Sequence, residues 1–165
     1  NVAMLLIQLG GAPSARTPQT TEPPTAAAAN PIHDKVNRYN VIEGINASIK
    51  SGDVPRDCRV VLVHYSQPYS ETYAKEMKTL LELGLRWQVT DLLATTSLPQ
   101  GISLRAIDKS QGKKCAEAME IRLRNLTWRG GNLQAFADFV PVDNAPEYLR
   151  NCEQPCMEMD VGNEQ

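Results

Sequence analysis

Residues 59–65 read "RVVLVHY", and the four residues Val60, Val61, Leu62 and Val63 are apolar without a break. In a strand successive side chains point to opposite faces, so this segment needs cover on both sides. That is the habit of parallel sheets in α/β proteins, not of half-solvated antiparallel ribbons. The polar turn that follows, "SQPYSE", leads into a stripe of Tyr73, Met77, Leu80 and Leu81 at helical spacing, and Gly84 ends it. A buried strand followed at once by an amphipathic helix sets the frame for the rest of the chain.

Upstream, Asn30-Pro31 supplies an N-cap and a first-turn proline. Val36, Tyr39, Ile42, Ile45 and Ile49 then recur at helical spacing up to Ser51-Gly52. Downstream, residues 87–94 ("WQVTDLLA") read as a second strand and 98–101 as a turn. Residues 102–107 ("ISLRAI") read as a third strand. Asp108 or Ser110 is expected to cap a helix lined by Cys115, Met119, Leu123 and Leu126 and broken at Gly130-Gly131. Residues 135–142 suggest a strand and 146–150 a helical turn. "CMEMDVG" (156–162) alternates Met157, Met159 and Val161 as an outer or final strand would. This order predicts an α/β fold, a three-layer sandwich with a mostly parallel sheet, in one domain over 31–165.

The N-terminal part is different. Residues 1–11 contain the apolar run "VAMLLIQLGG", about half of the ~20 residues that span a bilayer, which reads as the end of either a transmembrane or a signal segment. Residues 12–30 are dominated by Pro, Thr and Ala, a composition of extended linkers that bury no core. An apolar stub, a linker and a globular domain form the layout of a membrane-tethered extramembrane domain, whose side is not given by the sequence. The membrane is expected to be met only through the segment N-terminal to the domain.

Net charge is −2, and basic residues such as Arg122 and Arg124 alternate with Glu117 and Glu120. A nucleic-acid surface needs a clustered basic face, so no nucleic-acid partner is expected. The histidines, His33 and His64, form no HExxH pair, and "CEQPC" has no second Cys pair to complete a zinc site, so no metal is expected. Four cysteines allow a Cys152–Cys156 disulfide, while Cys115 on an apolar helix face reads as a small buried hydrophobe.

In doubly wound sheets ligands sit beyond the carboxyl ends of strands, against helix N-termini. Tyr65, Ser66, Gln67 and Ser70 follow the first strand, and Lys109, Ser110 and Gly112 follow the third. Together these two loops are the expected crevice for an anionic or nucleotide-like ligand, although Ser at helix starts also serves capping alone. Neither GxGxxG nor GxxxxGK[ST] occurs, and no cofactor and no catalytic residue is expected.

The stretch "VVLVHYSQPYSETYAKEMKTLLELGLRWQV" resembles the opening of TIR-like domains through Tyr65, Ser66, Glu71, Tyr73, Ala74, Gly84 and Trp87. TIR enzymes cleave NAD with a glutamate after the second strand. Residues 89–101 hold no glutamate, so the likeness implies the flavodoxin/TIR-like outline and not that residue. Tyr73-Ala74, Leu80-Leu81, Gly84, Trp87-Gln88-Val89, Gly101-Ile102 and a final "MDVG" also resemble uncharacterised bacterial domains that sit behind transmembrane helices. That resemblance implies fold and tethering. The expected function is a non-catalytic sensor or protein-interaction domain, with a protein partner or self-association and a possible small-molecule ligand. The alternative is an enzyme acting on nucleotides or NAD, with His64 or a late carboxylate as base.

Overall fold

The computed structural model describes residues 31–124, 127–128, 131–132 and 135–163. The stub and linker over 1–30, together with Leu126 and Gly130, lie outside the described residues. The fold is α/β. Helix α1 (Pro31–Lys50) leads into β1 (Arg59–His64), α2 (Pro68–Thr79), β2 (Gln88–Leu93), β3 (Ile102–Ile107) and α3 (Gly112–Leu123). The short strands β4 (Thr127–Trp128) and β5 (Gly131–Asn132) pair with each other. Then come β6 (Ala135–Val140), the single turn α4 (Glu147–Arg150) and β7 (Cys156–Val161).

The main sheet has the order β2-β1-β7-β3-β6. β1 is parallel to β2 and to β7, β3 is parallel to β6, and the β7–β3 pair is antiparallel. The sheet is therefore mostly parallel, and it reverses direction at its centre. The last strand is central rather than outer. All six of its residues are buried, so the alternation of Met with Glu and Asp reflects two buried faces, not one wet and one dry.

One face of the sheet carries Val60, Leu62, Leu104, Met157 and Met159, and the same cluster takes in residues of α1, α2 and α3. Period-2 alternation on the strands meets period-3.6 stripes on the helices: Val41 and Ile45 on α1, Tyr73 and Met77 on α2, Cys115 and Met119 on α3. Tyr39, assigned by spacing to the buried stripe of α1, is 60% exposed. The chain continues α2 as a wider π-helical turn, Leu80–Gly84, which buries both Leu80 and Leu81. A disulfide joins Cys58, just before β1, to Cys115 of α3. Cys115 is thus buried as its apolar surroundings imply, but as a half-cystine.

The other face carries Val61, Val63, Ile107 and Cys156, packed with Leu149 of α4 and Ala145. Among the described residues, the cover of this face comes from α4 and the 94–99 loop.

Two glycines allow close approach. A Cβ on Gly112 would overlap the carbonyl oxygen of Cys156, and one on Gly162 would overlap that of Pro99. Backbone cannot retreat as a flexible side chain can. Gly112→Ala and Gly162→Ala are each expected to cost about 1–3 kcal/mol through overpacking, read as lower urea midpoints.

Candidate functional site

The sheet face turned away from α1–α3 carries an arrangement that starts with two carboxylates on the central strand. Glu158 and Asp160 lie two residues apart on β7, so both point to the side away from α1–α3. Glu158 is 1% exposed and Asp160 is 0% exposed. In the antiparallel register Arg105 of β3 stands opposite Glu158, and Ser103 stands opposite Asp160. On the far side of Arg105, the parallel register places Asp138 of β6. One guanidinium thus sits in a row of acids across three strands.

The ion pairs are long. Arg105 Nε is 3.7 Å from Glu158 Oε1, and its terminal nitrogen Nη2 is 3.6 Å from Asp160 Oδ2. These distances give Coulombic attraction but not hydrogen bonds. Tyr148 of α4 donates its hydroxyl proton to Glu158 Oε2 at 2.9 Å. Among the described residues, Glu158 Oε1 and both oxygens of Asp160 accept no hydrogen bond from an N–H or ordinary O–H donor. Unsatisfied buried carboxylate oxygens are costly, and burial favours the neutral acid. Burial first, then a proton shared with the Glu158 carboxyl and repulsion from its charge, push the Asp160 carboxyl up to about 8, while Arg105 pulls the other way. Burial and the same acids also raise the Tyr148 hydroxyl, which keeps it a proton donor.

Above Glu158 and Arg105 lies a groove of about 470 Å³, bounded by Tyr148 and Pro146 on one side and the 94–99 loop on the other. The loop is held at two points, and the chain just beyond it at a third. Ala94 N–H donates to His64 O at 2.8 Å, Leu98 N–H donates to the Tyr65 hydroxyl oxygen, and Gly162 N–H donates to Gly101 O at 2.9 Å. The other wall is fixed by the Cys152–Cys156 disulfide, which ties the end of α4 to the start of β7. The groove is therefore framed by a pinned loop and a cross-linked helical turn.

The two loops expected from sequence to share a crevice lie at opposite ends of the sheet. β7 pairs in parallel with β1 but antiparallel with β3, so the carboxyl ends of β1 and β3 point apart. Tyr65, Ser66, Gln67 and Ser70 stay at one end. The Ser70 hydroxyl accepts from Tyr65 N–H at 2.9 Å and donates to Val161 O at 2.7 Å, so it is a buried structural joint. Gln67 is the N-cap residue of α2, with no side-chain capping bond. Ser66 is exposed.

At the other end, Lys109 takes a positive φ of 65°, the Ser110 hydroxyl donates to Ile107 O at 2.6 Å, and Gly112 N–H donates to Gln154 Oε1 at 3.2 Å. Asp108 pairs with Lys113 rather than capping, and the N-cap of α3 is Gln111. Of the expected set, only Tyr65 reaches the groove's frame, through its bond to the loop.

His64 Nε2 lies 3.9 Å from Asp91 Oδ1, and Asp91 is held by Lys78 at 2.9 Å. Its partner in register is Val161, on the helix-covered face, so this cluster is turned away from the groove. Among the described residues, no group of three or more His, Cys, Asp or Glu is placed to hold a metal.

Arg105, Tyr148, Glu158 and Asp160 were missed by sequence reasoning. The available signal was a lone Arg inside the apolar run "ISLRAI" and two acids between apolar residues in "CMEMDV". No family model, curated protein or solved structure matches the chain.

Proposed function

We propose that this is a non-catalytic recognition domain that binds a small polar ligand in the groove over Glu158 and Arg105. The observation that carries the reading is that Glu158, 1% exposed, and Arg105 line one groove of ligand size, while their 3.7 Å contact is too long to be a hydrogen bond. Asp160 supports binding over turnover, because it is 0% exposed and does not line the groove. A substrate in the groove meets Glu158 but not the proton that Asp160 holds.

The domain is held outside a membrane by the segment that precedes it, in our reading. Two disulfides among four cysteines support an oxidising compartment. Among the described residues no helix is long and apolar enough to cross a membrane. Protein docking or self-association is the second reading, favoured by exposed Leu93 on edge strand β2 and Phe136 on edge strand β6. The nucleotide- or NAD-processing alternative gains little from His64 and Asp91, which face away from the groove.

The test is a thermal-shift panel with NAD, nucleotides, phosphate, amino acids and sugars. A ligand at a hundredfold excess over its dissociation constant stabilises the native state by about 2.7 kcal/mol. The shift is expected to vanish in Glu158→Gln and to survive in Ser66→Ala and Lys109→Ala. The opposite pattern, or a flat panel, contradicts the reading.

A further inference from the structure

The groove's chemistry narrows the class of ligand, an inference that rests on the binding role proposed above. A donor and an acceptor stand side by side on its floor. Arg105 Nε and Glu158 Oε1 are 3.7 Å apart, too far to satisfy each other by a hydrogen bond, and both residues line the groove. Tyr148 gives its proton to Glu158 Oε2, which leaves its hydroxyl oxygen with lone pairs for an incoming donor. The loop opposite adds three hydroxyl-bearing residues, Thr95, Thr96 and Ser97, to the lining.

We propose that the groove binds a neutral polyol of sugar type, with two neighbouring hydroxyls bridging the Glu158 carboxyl and the Arg105 guanidinium. A hydroxyl both donates and accepts, so a vicinal pair satisfies the carboxylate and the guanidinium together. Bonds to charged groups are the stronger kind, which suits recognition of an uncharged molecule.

Charge balance points the same way. The groove lining sets one basic side chain, Arg105, against one acidic one, Glu158, and neither Asp138 nor Asp160 is among the lining residues. An anionic ligand would add a second negative charge beside Glu158, and a cationic one would crowd Arg105. A neutral ligand leaves the pair intact. The lining also includes Leu98, Pro99 and Pro146, which offer apolar surface to the C–H face of a ring.

Calorimetric titration of the whole chain with D-glucose, myo-inositol and trehalose, beside L-alanine and inorganic phosphate, tests the assignment. At least one polyol is expected to bind, with an affinity insensitive to added salt. Binding is expected to weaken about tenfold or more in Glu158→Gln and in Arg105→Lys, which keeps the charge and removes the fork. Circular dichroism confirms that each variant is folded, and Tyr148→Phe serves as a third probe of the same contact. If L-alanine or phosphate binds and depends on Glu158 while the polyols do not, the ligand class is overturned and the groove stands as a site. If no probe binds the native chain, both the class and the binding role fall. Polyol binding unchanged in all three variants places it elsewhere and overturns the assignment.

Discussion

Stability is expected to fall as pH rises from about 4 to about 8, and Asp160→Asn is expected to remove most of that fall. An unfolded aspartate releases its proton near the ordinary value of 3.8, whereas the folded Asp160 holds its proton to about 8. Between those values the native state binds more protons than the unfolded state. The unfolding free energy therefore drops with pH, by at most about 1.4 kcal/mol per pH unit for one group. Below the lower value both states are protonated, and above the upper value both are ionised, so the slope vanishes at each end. The cause is burial beside Glu158, only partly offset by the long contact to Arg105. This direction is opposite to that of the usual ion-paired carboxylate, whose contribution is lost on acidification. Urea unfolding of the native chain and of Asp160→Asn at pH 5, 6.5 and 8 checks it. The two curves should converge at the acid end and separate toward the alkaline end, with Asp160→Asn the more stable at pH 8. Parallel curves would show that Asp160 is already ionised in the folded state.

The second large effect concerns the disulfides. Cys58–Cys115 spans 57 residues of sequence and Cys152–Cys156 spans four. In the loop-entropy account the long bridge contributes about 4 kcal/mol and the short one about 2 kcal/mol. Cys58 and Cys115 are also buried in the helical core, so replacing both with Ala leaves a small void as well. The double variant Cys58→Ala/Cys115→Ala is expected to lose roughly twice the stability of Cys152→Ala/Cys156→Ala, read from urea midpoints. The short bridge acts on the groove instead: its loss frees the end of α4 and loosens Tyr148 over Glu158. A larger stability loss from the short bridge would contradict this division.

Much of the fold was legible because its signals were local. The run Val60–Val63 required a strand buried on both faces, and it is one. The periodicities of α2 and α3 marked the helices, and Gly84 closed the turn that follows α2. Strand order was not legible. Nothing local in "CMEMDV" says that the last strand inserts between β1 and β3, and its acids read naturally as a solvated face. That insertion reverses the sheet at its centre and sends the Tyr65–Ser70 and Lys109–Gly112 loops to opposite ends.

The same insertion assembles the candidate site from residues far apart in the chain. Arg105 comes from β3, Tyr148 from α4, and Glu158 and Asp160 from β7. Each is unremarkable alone. The cost of burying these polar groups becomes visible only once the register sets Arg105 opposite Glu158. Ser70 shows the converse, since a residue that sequence marks as a possible ligand group is occupied within the backbone joint it helps to build.

The most direct test of the binding site is a fragment screen read by backbone amide chemical shifts, with sugars and polyols included. The account predicts that hits perturb the 94–99 loop, Arg105, Tyr148 and Glu158 together, and that these shifts disappear in Glu158→Gln. Hits confined to Tyr65–Ser70 or to Lys109–Gly112, or no hits at the groove at all, would contradict it.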